Sequence, residues 1–527
     1  MHPINGQRRG FIVNNQTTNE KKVLDPATTV IPLIIISILC ILFITMPEAS
    51  TNALSAIREF LGNELGVFYL AVGLGVVVIS LYIAFSDLGK IRLGKPTDKP
   101  EYGFWIWGAM VFTCGLAADI LFYSLCEWIF YLEEPRAAAL GNPMEWAATY
   151  TLFHWGPIPW GFYAMLAACF GFMLHTRNRK KQKYSEACRP VLGKQTDTFL
   201  GRAIDVIAVI ALIAGCATTF SVATPLLSMA VTTLIGIPSS KFITIGILAV
   251  TCAIYTLSVR HGLKGVEKLS SWCMYLFIAL MAYVFIFGGE ARFTIETGFM
   301  ALGNMVQNFI GLSTWTEPLR ETGFTVNWTI FYWAYWMVWC VAAPFFMGGV
   351  SRGRTVKQVI LGSYIFGLAS TFASFIIIGN FGLGMQMHGR FDAMAFYHAN
   401  GEDLYLTVME IVKQLPLYQI VLVLIMLSMI AFYASSFDSI TLVASQYSYR
   451  ESEDMESAPM RTKMFWAILL ILLPMALIFS EGSMSNMQTV SIIAAFPIAF
   501  IIILIIVSFM KDGKNYLKES GQIKDDA

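Results

Sequence analysis

Continuous apolar runs of about 20 residues recur along this 527-residue chain, and they constrain its fold more than any other feature. A run of that length, folded as an α-helix, crosses the roughly 30 Å hydrocarbon core of a bilayer. Composition agrees, because 56% of the residues are hydrophobic and only 13% are charged. Since lipid offers no hydrogen-bond partner to the backbone, such runs must be helical. The sequence therefore predicts an all-α polytopic membrane protein.

Twelve runs are long and apolar enough to be predicted spans. Lys and Arg concentrate in the connections after even-numbered spans, as in RNRKKQK (177–183), whereas the connections after odd-numbered spans contain few. Because basic residues are retained on the cytoplasmic side, this alternation predicts that both termini are cytoplasmic. The predicted spans lie near residues 28–46, 66–87, 103–131, 145–174, 198–232, 241–259, 270–289, 328–349, 356–379, 417–447, 463–480 and 486–510.

Two of these spans carry signals that interrupt a membrane helix. Span three has Gly115 among small residues at mid-membrane, and span eight has Pro344. Proline removes a backbone donor and clashes with the carbonyl four residues back, so the helical hydrogen bonding opens there. Span eight follows span three by five spans, and an odd number of spans per unit forces opposite orientations. The pattern predicts two inverted five-helix repeats, 103–289 and 328–510, as in secondary transporters.

The remaining segments complete the predicted organisation. Residues 1–27 form a cytoplasmic N-terminal tail, 28–87 hold spans one and two within a membrane domain of 28–510, and 511–527 form a short cytoplasmic tail. Residues 291–312 have helical apolar spacing but are too polar to span, so they are predicted to lie along the membrane surface. The sequence has no nucleotide-binding loop or metal-ligand spacing, and no nucleophile–base pair, which argues against an enzyme.

Aromatic residues concentrate in two of the spans. Span four contains FHWGPIPWGFYA (153–164) and span eight contains FYWAYWMVW (331–339). A quaternary ammonium has no N–H to donate, but aromatic faces bind it at roughly 2 kcal/mol or more per desolvated ring. A buried carboxylate would cost more and would repel the carboxylate of a zwitterion such as betaine. The alternative is helix packing or an interfacial aromatic belt. The residues alone leave both interpretations open.

These two stretches, with SRGRT (351–355) and SSFDS (435–439), resemble the betaine/carnitine/choline transporter family, and the resemblance covers nearly the whole chain. It implies a leucine-transporter-like fold in the plasma membrane, usually as a homotrimer, without cofactor or catalytic residues. It also implies transport of a betaine, carnitine or choline. By this resemblance the substrate-binding residues are Trp155, Trp160, Tyr163, Tyr335, Trp336 and Trp339.

The same resemblance implies a coupling ion. Sodium-coupled relatives have a Thr-Ser pair where this chain has two serines in span ten, facing backbone oxygens of the interrupted span three. Hydroxyls in membrane helices also commonly bond back to their own helix. Asp119 is an ionisable residue near mid-membrane and is a candidate for binding a second cation or a proton. The implied Na⁺ ligands are Thr113, Leu116, Phe432, Ser435 and Ser436.

The chain departs from the family pattern near these sites. Tyr335 stands where the family usually has Trp, Trp128 follows Glu127 where Pro is common, and a glycine-rich motif is reduced to GLAAD. The expected activity is sodium-coupled symport by alternating access. The alternatives are a sodium-independent exchanger, proton-coupled choline uptake and, in another class, a non-transporting receptor or osmosensor. Glu127 is expected near the outer mouth, and His154 is expected to pack beside Trp155.

Overall fold

The computed structural model of the protein describes residues 23–115, 118–179, 181–258, 262–450, 458–479 and 484–523. Within these residues the secondary structure is helical. It contains no β-strand and two isolated β-bridges, Leu24–Tyr449 and Arg92–Thr355. The prediction of an all-α protein is confirmed.

The helices follow the predicted spans closely, with short helices in the connections. The first thirteen are α1 (Pro26–Thr45), α2 (Pro47–Glu59), α3 (Gly66–Phe85), α4 (Phe104–Thr113), α5 (Ala118–Leu132), α6 (Pro135–Leu140), α7 (Pro143–His154), α8 (Pro157–Gly171), α9 (Tyr184–Ala187), α10 (Arg189–Leu192), α11 (Phe199–Ile235), α12 (Lys241–Ser258) and α13 (Gly262–Phe287). The others are α14 (Ala291–Thr314), α15 (Phe331–Trp339), α16 (Ala343–Gly349), α17 (Val356–Ser374), α18 (Asn380–Met387), α19 (Ala393–Ala399), α20 (Leu404–Lys413), α21 (Tyr418–Tyr447), α22 (Met460–Phe479) and α23 (Met484–Glu519). Among the described residues, four π-helical segments lie at Phe60–Glu64, Phe172–Thr176, Thr325–Ile330 and Phe375–Gly379, and 3₁₀ turns lie at Asp87–Lys90 and Gly193–Asp197.

Many of these helices have the length and composition of membrane spans. In the described part of the chain, seven helical stretches are long and apolar enough to cross a bilayer, and counting each of three bent pairs as one span raises the number to ten. Shorter apolar helices occur at Lys241–Ile254 and Tyr418–Ala434. The chain is therefore a multi-pass membrane protein.

Two of the three bent pairs coincide with the predicted interruptions. The axes of α4 and α5 differ by 65°, and the helix that ends at Trp339 is bent by 50° from α16. The segment predicted to be amphipathic is α14, which turns by 114° from the end of α13. Its Phe299 is 81% exposed, whereas the opposite face packs against α7 and α18. The helical breaks in spans three and eight are confirmed.

The break in span eight follows directly from Pro344. Proline at this position has no N–H for the carbonyl of Cys340, four residues back, and α15 ends at Trp339. The Tyr184 hydroxyl donates a 2.6 Å hydrogen bond to that Cys340 oxygen. Both Tyr184 and Cys340 are fully buried. A side chain of α9 therefore replaces the backbone donor that proline removes.

Span four is also interrupted at a proline, which has no backbone N–H to donate. It divides into α7 and α8 at Trp155–Gly156, and Pro159 in the first turn of α8 offers no N–H to the Trp155 carbonyl. Thr371 of α17 donates to that carbonyl through its hydroxyl, at 2.8 Å. The same hydroxyl oxygen accepts a 3.3 Å hydrogen bond from the Trp160 indole. Thr371 thus joins the broken backbone to the aromatic residue that follows it.

Segments predicted to share the cytoplasmic side lie together in the fold. Arg177, after span four, pairs with Asp512 near the end of α23 at 2.8 Å. Lys183 pairs with Asp25, just before α1, at 3.0 Å. The Asp25 backbone N–H donates to the carbonyl of Ser448, after span ten, at 2.7 Å. The segment just before α1, the last part of α23 and two basic connections therefore meet at one end of the helical bundle.

We expect Tyr184→Phe to destabilise the protein, because it leaves the buried Cys340 carbonyl without its side-chain donor. An unsatisfied buried acceptor costs about 1–3 kcal/mol. Thermal denaturation of the purified protein in detergent should show a lower midpoint. Tyr82→Phe is the matched control, because Tyr82 is 58% exposed. Equal midpoints for Tyr184→Phe and wild type would contradict this account of the helix break.

Candidate functional site

Four of the six residues predicted to bind substrate are in contact with one another. The Trp336 ring on α15 lies 5.7 Å from Trp155, 5.6 Å from Trp160 and 4.8 Å from Tyr163, measured between ring centroids. All four side chains are buried, with at most 4% of their surface exposed. We refer to Trp155, Trp160, Tyr163 and Trp336 as the aromatic cluster.

Helix breaks and glycines position the aromatic cluster. Trp155 lies at the break between α7 and α8, so its ring is aimed differently from those of Trp160 and Tyr163 on α8. The Trp160 indole packs against two glycines. A Cβ would come within 2.5 Å of this ring at Gly115 and within 2.2 Å at Gly367. Side chains at either position would displace the indole, so the two glycines let the α4–α5 break and α17 approach it.

The other two predicted substrate residues point elsewhere. The Tyr335 hydroxyl donates a hydrogen bond to the Asp119 carboxylate and contacts the Thr219 hydroxyl of α11. Trp339 lies against α11, with its indole 3.3 Å from the position that a Cβ would take on Gly215. Among the described ring contacts, neither ring touches the aromatic cluster. Consecutive helical residues project about 100° apart, which separates Tyr335 from Trp336.

Glu127 lies beside the aromatic cluster, although the sequence placed it only near the outer mouth. Its carboxylate accepts a 2.7 Å hydrogen bond from the Trp155 indole N–H and is fully buried. Tyr123 on the same helix also contacts Trp155, with ring centroids 5.5 Å apart. The ring of His154 stacks on Tyr332 at 4.9 Å, and Tyr332 in turn lies 5.7 Å from the Trp155 ring.

A regular spacing in the sequence could have identified this polar face. Asp119, Tyr123, Glu127 and Tyr131 follow one another at intervals of four residues, and such residues share one face of a helix. On α5 they form a polar stripe that faces α7 and α15. Tyr335 contacts its first member, Trp155 its second and third, and His154 its fourth. We call these four residues the α5 stripe.

Three of the predicted sodium ligands, Thr113, Phe432 and Ser436, have side chains within the described residues. The Thr113 hydroxyl donates to the Met110 carbonyl of its own helix at 2.9 Å, which is the back-bonding alternative. Phe432 is buried and Ser436 half-buried on α21, which packs against α5. Leu116 and the side chain of Ser435 lie outside the described residues. The sodium site remains a prediction.

Comparison with known proteins agrees with this architecture. A sequence profile described as "BCCT, betaine/carnitine/choline family transporter" matches residues 27–518. Over 487 residues the chain is 29% identical to the glycine betaine transporter OpuD of Bacillus subtilis, covering 91% of this chain and 92% of that protein. It is 28% identical to the high-affinity choline transport protein of Escherichia coli (88% and 68% covered) and 25% identical to the carnitine transporter of Acinetobacter baumannii (82% and 78% covered). The chain therefore belongs to the betaine/carnitine/choline transporter family, a family of membrane transporters and not of enzymes.

Proposed function

We propose that this protein transports a quaternary ammonium compound across the plasma membrane, with the aromatic cluster as its substrate site. The observation that carries the proposal is the contact of four buried rings from α7–α8 and α15 at breaks in two membrane helices. Three or four rings would contribute on the order of 6–8 kcal/mol of cation–π attraction before entropic costs. A micromolar site requires roughly 8 kcal/mol.

One atom of the aromatic cluster supports recognition of an oxygen on the same substrate. Trp336 Nε1 is buried and has no hydrogen-bond partner among the described residues. An unpaired buried donor is costly unless a ligand supplies the acceptor. A hydroxyl or carboxylate oxygen a few atoms from the ammonium would satisfy it. Choline, carnitine and betaines all have such an oxygen.

The proposed mechanism is alternating access in a twelve-span fold of two inverted five-helix repeats. Ten candidate spans and the two shorter apolar helices together make twelve. Broken helices near Gly115 and Pro344 stand in equivalent places of the two repeats, as in transporters with a midplane site. We propose that both termini are cytoplasmic, in keeping with the contacts of Asp25 and Asp512 with the basic connection after span four. A homotrimer is proposed from family membership alone.

Sodium is the first candidate for the coupling ion. Na⁺ would bind the hydroxyls of Ser435 and Ser436 and backbone oxygens near Thr113, Leu116 and Phe432. The regular helical hydrogen bonding ends at the break between α4 and α5, where backbone oxygens would be available to an ion. Bound there, sodium would bridge spans three and ten and stabilise the substrate-binding state. The affinities for ion and substrate would then be linked reciprocally.

Asp119 supports a second candidate, proton-coupled uptake of a substrate with net positive charge. Its side chain is 2% exposed, and its Oδ1 atom has no hydrogen-bond partner in the described part of the chain. None of the ion pairs of the described residues includes it. A carboxylate so placed needs a cation or a proton to offset its buried charge. It would attract choline and repel the carboxylate of a betaine.

The first test is uptake of radiolabelled glycine betaine and choline into proteoliposomes. An imposed sodium gradient should drive accumulation into empty vesicles, and potassium in its place should not. Ser436→Ala should abolish the sodium effect, because it removes a proposed ligand. Uptake only into substrate-preloaded vesicles, indifferent to sodium, would instead identify an exchanger. Absence of uptake for both compounds, with carnitine also inactive, would contradict the proposed function.

Asp119→Asn separates the two coupling candidates. If Asp119 holds the coupling proton or attracts a cationic substrate, the variant should lose choline uptake driven by an inward proton gradient, by about tenfold or more. Glycine betaine uptake should fall less, because the neutral amide no longer repels its carboxylate. An unchanged ratio of choline to betaine uptake would exclude a role for Asp119 in selecting substrate charge.

Four of the six predicted substrate residues form the aromatic cluster and two do not, and this difference can be tested by mutation. Trp336→Leu should weaken substrate binding by about tenfold or more, because it removes the ring that contacts the other three, and a desolvated cation–π contact contributes about 2 kcal/mol. Trp339→Leu is the matched control, on the same helix but outside the aromatic cluster. Quenching of tryptophan fluorescence by choline or glycine betaine measures both affinities. A larger loss in Trp339→Leu would move the substrate site towards α11.

A further inference from the structure

A continuous chain of buried hydrogen bonds leads away from the aromatic cluster. The Trp155 indole donates to one oxygen of Glu127 at 2.7 Å, and the Tyr131 hydroxyl donates to the other, also at 2.7 Å. Tyr131 further contacts Nδ1 of His154 at 2.7 Å, and Nε2 of His154 contacts the Thr329 hydroxyl at 3.1 Å. These five side chains are at most 3% exposed. They connect α5, α7 and the π-helical start of span eight.

This hydrogen-bond network is compatible with two different numbers of bound protons. The Tyr131 hydroxyl has one hydrogen but two partners, so either Glu127 or His154 must point a hydrogen at its oxygen. With Glu127 ionised, Nδ1–H of His154 donates to Tyr131, and Tyr131 donates to Glu127. With Glu127 protonated, the carboxylic acid donates to Tyr131, Tyr131 donates to Nδ1, and Nε2–H donates to Thr329. Every contact is satisfied in both arrangements.

The hydrogen-bond network can therefore gain or lose one proton without losing a hydrogen bond. The same extra proton can also pass from Glu127 to His154 by two short transfers through Tyr131, which leaves an ionised carboxylate and an imidazolium. Each transfer breaks one O–H bond and forms one O–H or N–H bond, and no heavy atom has to move. A polar network that only held the helices together would not need two arrangements of hydrogens that satisfy every contact.

No ion pair of the described residues fixes the position of the proton in this network. Within the described residues, Glu127 forms no ion pair. The titratable groups near it are Tyr123, Cys126 and Tyr131 on its own helix, Tyr332 on α15 and, through Tyr131, His154 on α7. Glu134 lies further along α5, and Arg136 reaches the network only through Tyr150, whose ring contacts that of His154 at 5.4 Å. Of the groups that hydrogen-bond directly within the network, His154 is the one that can become cationic.

We propose that Glu127, Tyr131 and His154 form a proton-binding relay, and that its proton competes with the cationic group of the substrate. The proposal rests on the proposed substrate site, because the relay acts through Trp155. An ionised Glu127 at the indole N–H enriches the electron density of the ring and attracts an ammonium held in the aromatic cluster. A proton on Glu127 removes both effects. Glu127 is thus a positioning residue that tunes the cluster.

The sign of the linkage follows from this competition. A cation binds more tightly to the form with an ionised Glu127, so binding releases a proton wherever the free site is protonated. Affinity should fall as pH is lowered through the titration of the relay, by about tenfold per pH unit at the steepest. By reciprocity, bound substrate should hold the proton off the relay.

The test measures binding of choline and glycine betaine to the purified full-length protein over a series of pH values. Tryptophan fluorescence reports affinity, and calorimetry in two buffers of different ionisation enthalpy counts the protons released. Wild type should lose affinity at low pH and release up to one proton per substrate. Glu127→Gln keeps an acceptor for Trp155 but cannot titrate, so its affinity should vary less with pH than that of wild type, and fewer protons should be released. Glu134→Gln is the control, because Glu134 also accepts from an indole, that of Trp328, at 2.7 Å, yet lies outside the relay.

Tyr131→Phe provides a second variant should Glu127→Gln fail to fold. Losing the hydroxyl removes a donor to ionised Glu127, so affinity should begin to fall at a higher pH than in wild type. The relay is wrong if wild type shows no pH dependence, if Glu127→Gln or Tyr131→Phe leaves the profile unchanged, or if Glu134→Gln abolishes it. Absence of choline and betaine binding at every pH would instead refute the proposed substrate site, and the relay with it.

Discussion

The architecture depends on how backbone carbonyls are satisfied where membrane helices break. In lipid an unpaired carbonyl costs several kcal/mol, so a break survives only where another group supplies a donor. Tyr184 supplies it to Cys340 in span eight, and Thr371 supplies it to Trp155 in span four. In each case the acceptor lies four residues before a proline. These two hydroxyls satisfy the carbonyls at the breaks in spans four and eight, and the rings of the aromatic cluster lie beside those breaks.

The broken helices bring aromatic rings and carboxylates into one buried region. Rings from α7–α8 and α15 contact one another, while the α5 stripe lines their edge with Asp119 and Glu127. Each carboxylate receives donors from residues that also belong to the predicted site: Tyr335 for Asp119 and Trp155 for Glu127. Such acidic groups are retained at membrane depth only when hydrogen bonds, protons or bound cations offset their charge. Their placement beside the cluster suits a protein that handles a positively charged group.

Much of this could be predicted from the chain itself. Apolar runs predicted the helices, and Gly115 and Pro344 marked the breaks that the structure contains. The aromatic stretches identified Trp155, Trp160, Tyr163 and Trp336, which are in contact. The family resemblance groups Tyr335 and Trp339 with them, but the Tyr335 hydroxyl contacts Asp119 and Thr219, and the Trp339 indole lies against Gly215 of α11. Adjacent residues on a helix project in different directions, and sequence proximity does not reveal which neighbour each will meet.

The contact between Glu127 and Trp155 also could not be predicted from the sequence. Its four-residue spacing from Asp119, Tyr123 and Tyr131 was readable in the sequence, but the partner of that face was not. By itself, the sequence determined the membrane class, the helical state and the points where helices break, because these follow from local hydrophobicity and backbone chemistry. Only the tertiary structure decided that Glu127 bonds to Trp155 and Asp119 to Tyr335, because such contacts depend on how separate helices rotate and pack against one another.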